Sequence, residues 1–137
     1  MAATMQFDLV SPERSLASLQ AIEVQIPGTD GDMTAMPDHA PMITTLRPGI
    51  LTVVSEKGED RYAVSGGFAE VTGTGTSVLA EVALHVDDVN AEKVAAMVSD
   101  AKAARDADVA ENADDHAKRI ADLKVMADLL GHPVSGD

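Results

Sequence analysis

The sequence contains no cysteine and no tryptophan, and only three aromatic rings: Phe7, Tyr62 and Phe68. Without thiols there are no disulfides, no thiolate metal ligands and no cysteine nucleophile. Three scattered rings do not build a base-stacking platform. Positive charge is scarce as well: ten Lys and Arg face 23 Asp and Glu, for a formal net charge of −13. So acidic a chain repels phosphate backbones and anionic lipid, which argues against nucleic acid and direct lipid insertion. No apolar stretch approaches the roughly 18–20 residues of a membrane span. Met1–Leu9 carries Asp8 and no basic residue ahead of an apolar run, so the reading expects no signal peptide and a soluble, cytoplasmic product.

What is present is aliphatic. Hydrophobic residues make up 45% of 137 positions, enough for a core without metals or disulfides. Gly and Pro divide the chain: eight of ten Gly and five of six Pro precede His85, and neither occurs between Gly75 and Gly131. This predicts two domains, 1–86 and 87–137. In the first, Ile22, Val24 and Ile26 alternate with Glu23 and Gln25, the period of a half-buried strand. Further strands are expected at Gln6–Val10, Met42–Leu46, Ile50–Ser55, Tyr62–Ser65, Phe68–Thr72 and Ser77–Leu84. Pro27–Asp32 reads as a turn-rich loop, and Gly66-Gly67 as a bulge. Short strands with frequent turns predict an antiparallel β-sandwich or barrel.

The second domain predicts two helices. Residues 91–127 hold twelve Ala and no helix breaker. Val94, Met97, Val98, Ala101 and Ala104 form one stripe at helical spacing; Ala113, Ala117, Ile120, Leu123, Ala127 and Leu130 form a second. The stripes lose phase at Asp106–Asn112, where a turn is expected. Asn90 suits an N-cap and Gly131 a stop. The fold class is therefore α+β, a sandwich followed by an antiparallel helical hairpin. The hairpin's small side chains bury little area, which makes a mobile arm the physical expectation.

Catalytic patterns are missing. His39, His85, His116 and His132 share no metal-ligand spacing. Asp30-Gly31-Asp32 opens like a calcium loop, but Ala35 and Pro41 occupy its obligatory Gly and Glu places. Gly73-Thr74-Gly75 has Val78 where a dinucleotide loop needs its third Gly, and Ser65 has Ala63 where a nucleophile elbow needs Gly. Asp87-Asp88 and Asp114-Asp115 are adjacent, so on a helix their side chains diverge. No catalytic residue, metal site or resident cofactor is expected.

An ordered set of segments carries a resemblance: Phe7–Glu13, Val24–Met33, His39–Thr44, Leu46–Leu51, Tyr62–Val71 and Val78–Glu81. Together they closely resemble the epsilon subunits of bacterial F-type ATP synthases, called delta in mitochondria. The resemblance covers most of residues 5–84 and implies a sandwich plus a helical hairpin. It also implies a non-catalytic central-stalk role: binding the gamma subunit and the c-ring, coupling rotation to ATP synthesis, and in many bacteria inhibiting ATP hydrolysis through the C-terminal helices. The implied location is peripheral, on the cytoplasmic face of the bacterial inner membrane.

Carried onto this sequence, the gamma and c-ring interface falls on Gly28, Asp30, Gly31, Asp32, His39, Ala40, Pro41 and Met42. The two carboxylates suit basic loops on the ring, and the Pro and Met side chains offer apolar contact. Arg105, Lys118, Arg119 and Lys124 are candidates for the alpha/beta catalytic head. The hairpin half holds 12 acids against 6 bases, which counts against a long inhibitory docking surface. Some relatives bind ATP through I/L-D-x-x-R-A on the hairpin. Here Val89, Asn90, Lys93 and Val94 stand at the defining places, a degenerate match. Lys lacks the two-pronged donor of Arg, so ATP is not expected as a ligand. A hairpin that senses ATP is the rival reading, and an independent small enzyme the weakest.

Overall fold

The computed structural model describes residues 3–134. Met1, Ala2 and residues 135–137, at the ends of the two predicted domains, lie outside the described residues. The chain forms two compact units, divided between His85 and Val86.

The first unit has ten strands: β1 (Met5–Val10), β2 (Ser15–Ala21), β3 (Glu23–Gly28), β4 (Gly31–Ala35), β5 (Met42–Leu46), β6 (Gly49–Ser55), β7 (Gly58–Val64), β8 (Gly67–Val71), β9 (Gly75–Ala80) and β10 (Ala83–His85). The hydrogen-bonded path runs β10-β7-β6-β3-β5-β8-β9-β1-β2, with β4 on β3. All pairs are antiparallel except β1 with β9.

Three corners fold this path into a sandwich. β3 pairs with β6 over Glu23–Gln25 but with β5 at Gly28. The other corners sit together: Ser65 N–H donates to Val82 O (3.0 Å) and Glu81 N–H to Gly66 O (3.0 Å). Gly66 and Gly67 have φ of 144° and 123°, and a Cβ on Gly67 would lie 2.0 Å from Leu79 O. Only glycine fits this crossing. Met5, Phe7 and Leu9 of β1 thus join Ile26, Leu51, Val64 and Val71 in one buried cluster.

The sequence reading differs from this fold at several places: β7 begins at Gly58 rather than Tyr62, and Gly66-Gly67 forms a corner rather than a bulge. Pro27, Gly28, Gly31 and Asp32 belong to strands, and the turn itself is only Thr29-Asp30. Pro27 pairs with Asp32 across the hairpin, so the Pro-Gly pair sits inside a ladder rather than in a loop. β4 was hidden in this loop. β2 was hidden because Ser15–Ala21 has no clean alternation: only Ala17 and Ala21 are fully buried. The single strand expected at Ser77–Leu84 is two strands, since Glu81-Val82 carries the chain from β8 and β1 over to β7.

In the second unit, α1 (Ala91–Asp106) and α2 (Ala113–Leu129) pack as a hairpin, with short 3-10 turns at Val86–Asp88 and Ala110–Asn112. Val94, Val98 and Ala101 are buried on α1, and Ile120, Leu123, Met126 and Ala127 on α2. The expected stripes shift slightly: Ala104, Ala113 and Ala117 are exposed, and Met126 is buried instead. The Asn90 side chain accepts from Lys93 N–H (2.8 Å), closing α1 at its start. Gly131, at φ 79°, ends α2, and His132 N–H reaches back to Ala127 O (2.9 Å).

Candidate functional site

The two segments singled out in the sandwich lie at opposite ends of β5. Gly28 faces Leu46, the last residue of β5, while His39–Met42 lead into its first. Met42 and Leu46 are four residues apart, about 14 Å along the strand at ~3.4 Å per residue. The segments are two surfaces rather than one.

At the first, a two-residue turn makes Asp30 the apex of the β3–β4 hairpin, with Thr29, Asp30, Gly31 and Asp32 exposed. Gly28 is buried beneath them, and a Cβ there would lie 2.7 Å from Gly31 O. The tip is fastened from the β5–β6 turn. Thr29 donates its N–H (2.8 Å) and its hydroxyl (2.9 Å) to Thr45 O, and Arg47 N–H donates to Pro27 O (3.0 Å). The Arg47 guanidinium donates to Gly28 O (2.6 Å) and pairs with Asp32.

At the second, Asp38 adopts a left-handed backbone (φ 66°) that Asp tolerates, and its N–H donates to Gly73 O (3.0 Å). The half-buried His39 ring bonds Ala40 O (2.7 Å) through Nδ1. Ala40, Pro41 and Met42 are exposed, as is Met36.

A third surface was not foreseen. On the outer face of β5, β8, β9 and β1, cross-strand partners stand in two rows. One runs Thr45, Phe68, Leu79, Val10; its neighbour runs Ile43, Glu70, Ser77, Asp8. Phe68, Leu79 and Val10 are 47%, 43% and 36% exposed, and Ile43 is 68% exposed. Adjacent exposed apolar side chains make this face a candidate interaction patch. The sequence held a sign of it: Phe68 is in phase with Glu70, not with the buried Ala69 and Val71.

The hairpin residues are occupied structurally. Arg105 pairs with Asp106 (3.0 Å) and Lys118 with Asp122 (2.7 Å); Arg119 and Lys124 also have partners. At the ATP-like segment, Asn90 caps α1, Lys93 Nζ donates to Asp88 O (3.1 Å), Val94 is buried and Val89 is half-buried. At the helix turn, hydrogen bonds from His116 (2.8 Å), Asn112 (2.9 Å) and the Val109 N–H (2.8 Å) hold the Asp108 carboxyl down at about 2.

The remaining singled-out residues serve the sandwich. His85 stacks edge-on against Tyr62 (5.2 Å) and meets Asp60 (3.2 Å); burial, with Asp60 adding to it, raises the Tyr62 hydroxyl pKa. Ser65 is buried, and its hydroxyl has no partner among the described residues. The described residues contain no group of three or more His, Asp or Glu placed to hold a metal ion.

Residues 4–86 match the family described as ATP synthase, Delta/Epsilon chain, beta-sandwich domain. The ATP synthase epsilon chain of Fuscovulum blasticum is 56% identical over 131 residues, covering 96% of this chain and 99% of that one. The epsilon chain of Jannaschia sp. is 52% identical over 93% of this chain and 97% of its own length. Among solved structures, a chain of the Euglena gracilis mitochondrial ATP synthase, captured with its OSCP, F1 and c-ring parts, has the same fold. Its TM-score is 0.71 at 22% identity, over 95% of this chain and 83% of that chain.

Proposed function

This chain belongs to the ATP synthase delta/epsilon family, and on that premise we propose that it is a non-catalytic rotor subunit whose sandwich joins the gamma subunit to the c-ring. The observation that carries the reading is the exposed row Phe68–Leu79–Val10. The gamma subunit covers it, removing apolar area from water at about 25 cal/mol per Å². The acidic β3–β4 tip and the loop His39–Met42 complete the interface: the tip meets polar, basic loops of the c-ring, and Pro41 and Met42 add apolar contact.

A sheet sandwich suits torque transmission, since corners cross-linked through strands distant in sequence resist shear. Among the described residues no helix is long and apolar enough to cross a membrane. In this reading the chain reaches the cytoplasmic face of the inner membrane through its protein partners. The hairpin is a regulatory appendage with limited reach to the alpha/beta head, because Arg105 and Lys118 already have acidic partners within it. Asn90, Lys93 and Val94 serve the start of α1, which argues against ATP as a ligand there.

Phe68→Asp should weaken association with purified gamma subunit at least tenfold, leaving the sandwich folded because the ring is half exposed. Unchanged binding in both Phe68→Asp and Leu79→Asp sinks the reading. A chain ending at Val86 should stay soluble, bind gamma with unchanged affinity and support coupled ATP synthesis. ATPase assays of the same complex measure any inhibition the hairpin exerts.

A further inference from the structure

The two carboxylates of the β3–β4 tip have different surroundings, and the difference traces to one cation from another turn. Asp32 is paired to Arg47, which lies 15 positions later in the chain. Asp30, at the apex, is exposed, and among the described residues no side-chain hydrogen bond or ion pair engages it. The same guanidinium donates to the Gly28 carbonyl, immediately before the turn, while its own backbone N–H holds Pro27 O. Arg47 thus binds both strands of the hairpin at once, at Gly28 on β3 and at Asp32 on β4. A planar two-pronged donor does this; a lysine ammonium, as a point charge on a flexible stem, does not reproduce it.

We propose that Arg47 is the positioning residue of this tip: it ties Asp32 into a latch across the hairpin and leaves Asp30 as the carboxylate that meets a cationic partner loop. The inference rests on the ring-contact reading above and divides labour within it. Asp32 acts on the partner only through the shape of the tip. Asp30 acts directly, and its attraction is screened by salt.

Two measurements on the full-length chain and its variants test this. The first is amide hydrogen exchange at Thr29 and at position 47, whose N–H groups hold the tip to β5 and β3. Arg47→Gln and Arg47→Lys should speed this exchange about fivefold, modest because Asp32 is solvent-exposed. Asp32→Asn should speed it less, and Asp30→Asn should leave it unchanged. The second is association with a purified gamma–c-ring subcomplex in detergent. Asp30→Asn should weaken it roughly tenfold and flatten its salt dependence. Asp32→Asn should cost about threefold or less and keep that dependence. Adding Asp32→Asn to Arg47→Gln should cost little more than Arg47→Gln alone, as members of one latch do.

Unchanged exchange in Arg47→Gln overturns the positioning role. Asp32→Asn matching the loss of Asp30→Asn, without faster exchange, overturns the division between the carboxylates. Association that none of the variants changes overturns the ring contact, and the exchange data separate that failure from a failure of the latch.

Discussion

The sandwich buries Phe7, Met5, Leu9, Ile26 and Leu51 in one cluster, drawn from strands as distant in sequence as β1 and β9. The hairpin buries Val94, Val98 and Ala101 on one helix and Ile120, Leu123, Met126 and Ala127 on the next, only a short turn away. Large side chains fixed by non-local pairing make a unit that opens only as a whole. A smaller set of buried residues on two helices adjacent in sequence makes one that opens at lower cost. The same chain therefore carries one part held by non-local strand pairing and one held by local helix packing.

Core truncations probe that contrast most strongly. Phe7→Ala should destabilise the sandwich by about 3–5 kcal/mol, and Leu123→Ala the hairpin by about 2–3 kcal/mol. Hydrogen exchange read separately in each unit should place each loss in its own unit. A Leu123→Ala chain whose sandwich amides exchange as fast as its helix amides would break the comparison.

A smaller effect sharpens it. Asn90→Ala removes the side-chain acceptor at the start of α1 and should cost about 1 kcal/mol, confined to the hairpin. Thermal denaturation of full-length protein should show the hairpin transition shifted and the sandwich transition unmoved.

The smallest expected effect lies at the helix turn. Hydrogen bonds hold the folded Asp108 carboxyl at about 2, below its ordinary value, so its contribution is complete above about pH 5 and is lost as pH falls toward 2. His116→Ala should return the midpoint, followed by NMR, toward the ordinary carboxylate value. A midpoint that stays near 2 would show that the His116 bond does not hold it.

Much of this was legible because periodicity and punctuation are local. Val24 and Ile26 alternated with Glu23 and Gln25 and became β3, though Ile22 lies just outside it; the run without Gly or Pro after Gly75 held both helices; Asn90 capped and Gly131 stopped. β2 and β4 escaped because β2 lacks a clean alternation and β4 has few apolar residues, so both are defined by the strands they pair with. The same holds for the break at Glu81-Val82, which exists only because β7 draws the chain across the sandwich. Of the proposed interaction surfaces, the acidic tip was visible as a motif. The row Phe68–Leu79–Val10 was not, because its members are far apart in sequence and meet only through β8–β9 and β9–β1 pairing.

The sequence by itself determined composition-level facts: an aliphatic, thiol-free, acidic chain in two parts, with a resemblance strong enough to expect its family. These depend on residue identity and short-range spacing, which need no folding to read. The tertiary structure decided which residues act together. It set the two candidate segments at opposite ends of β5 and aligned three exposed apolar side chains into a row. It also brought Arg47 to the tip, so that two carboxylates alike in sequence face different surroundings. The reason is physical: a charge or a contact acts over ångströms in space, and only the strand register determines which distant residues come within that range.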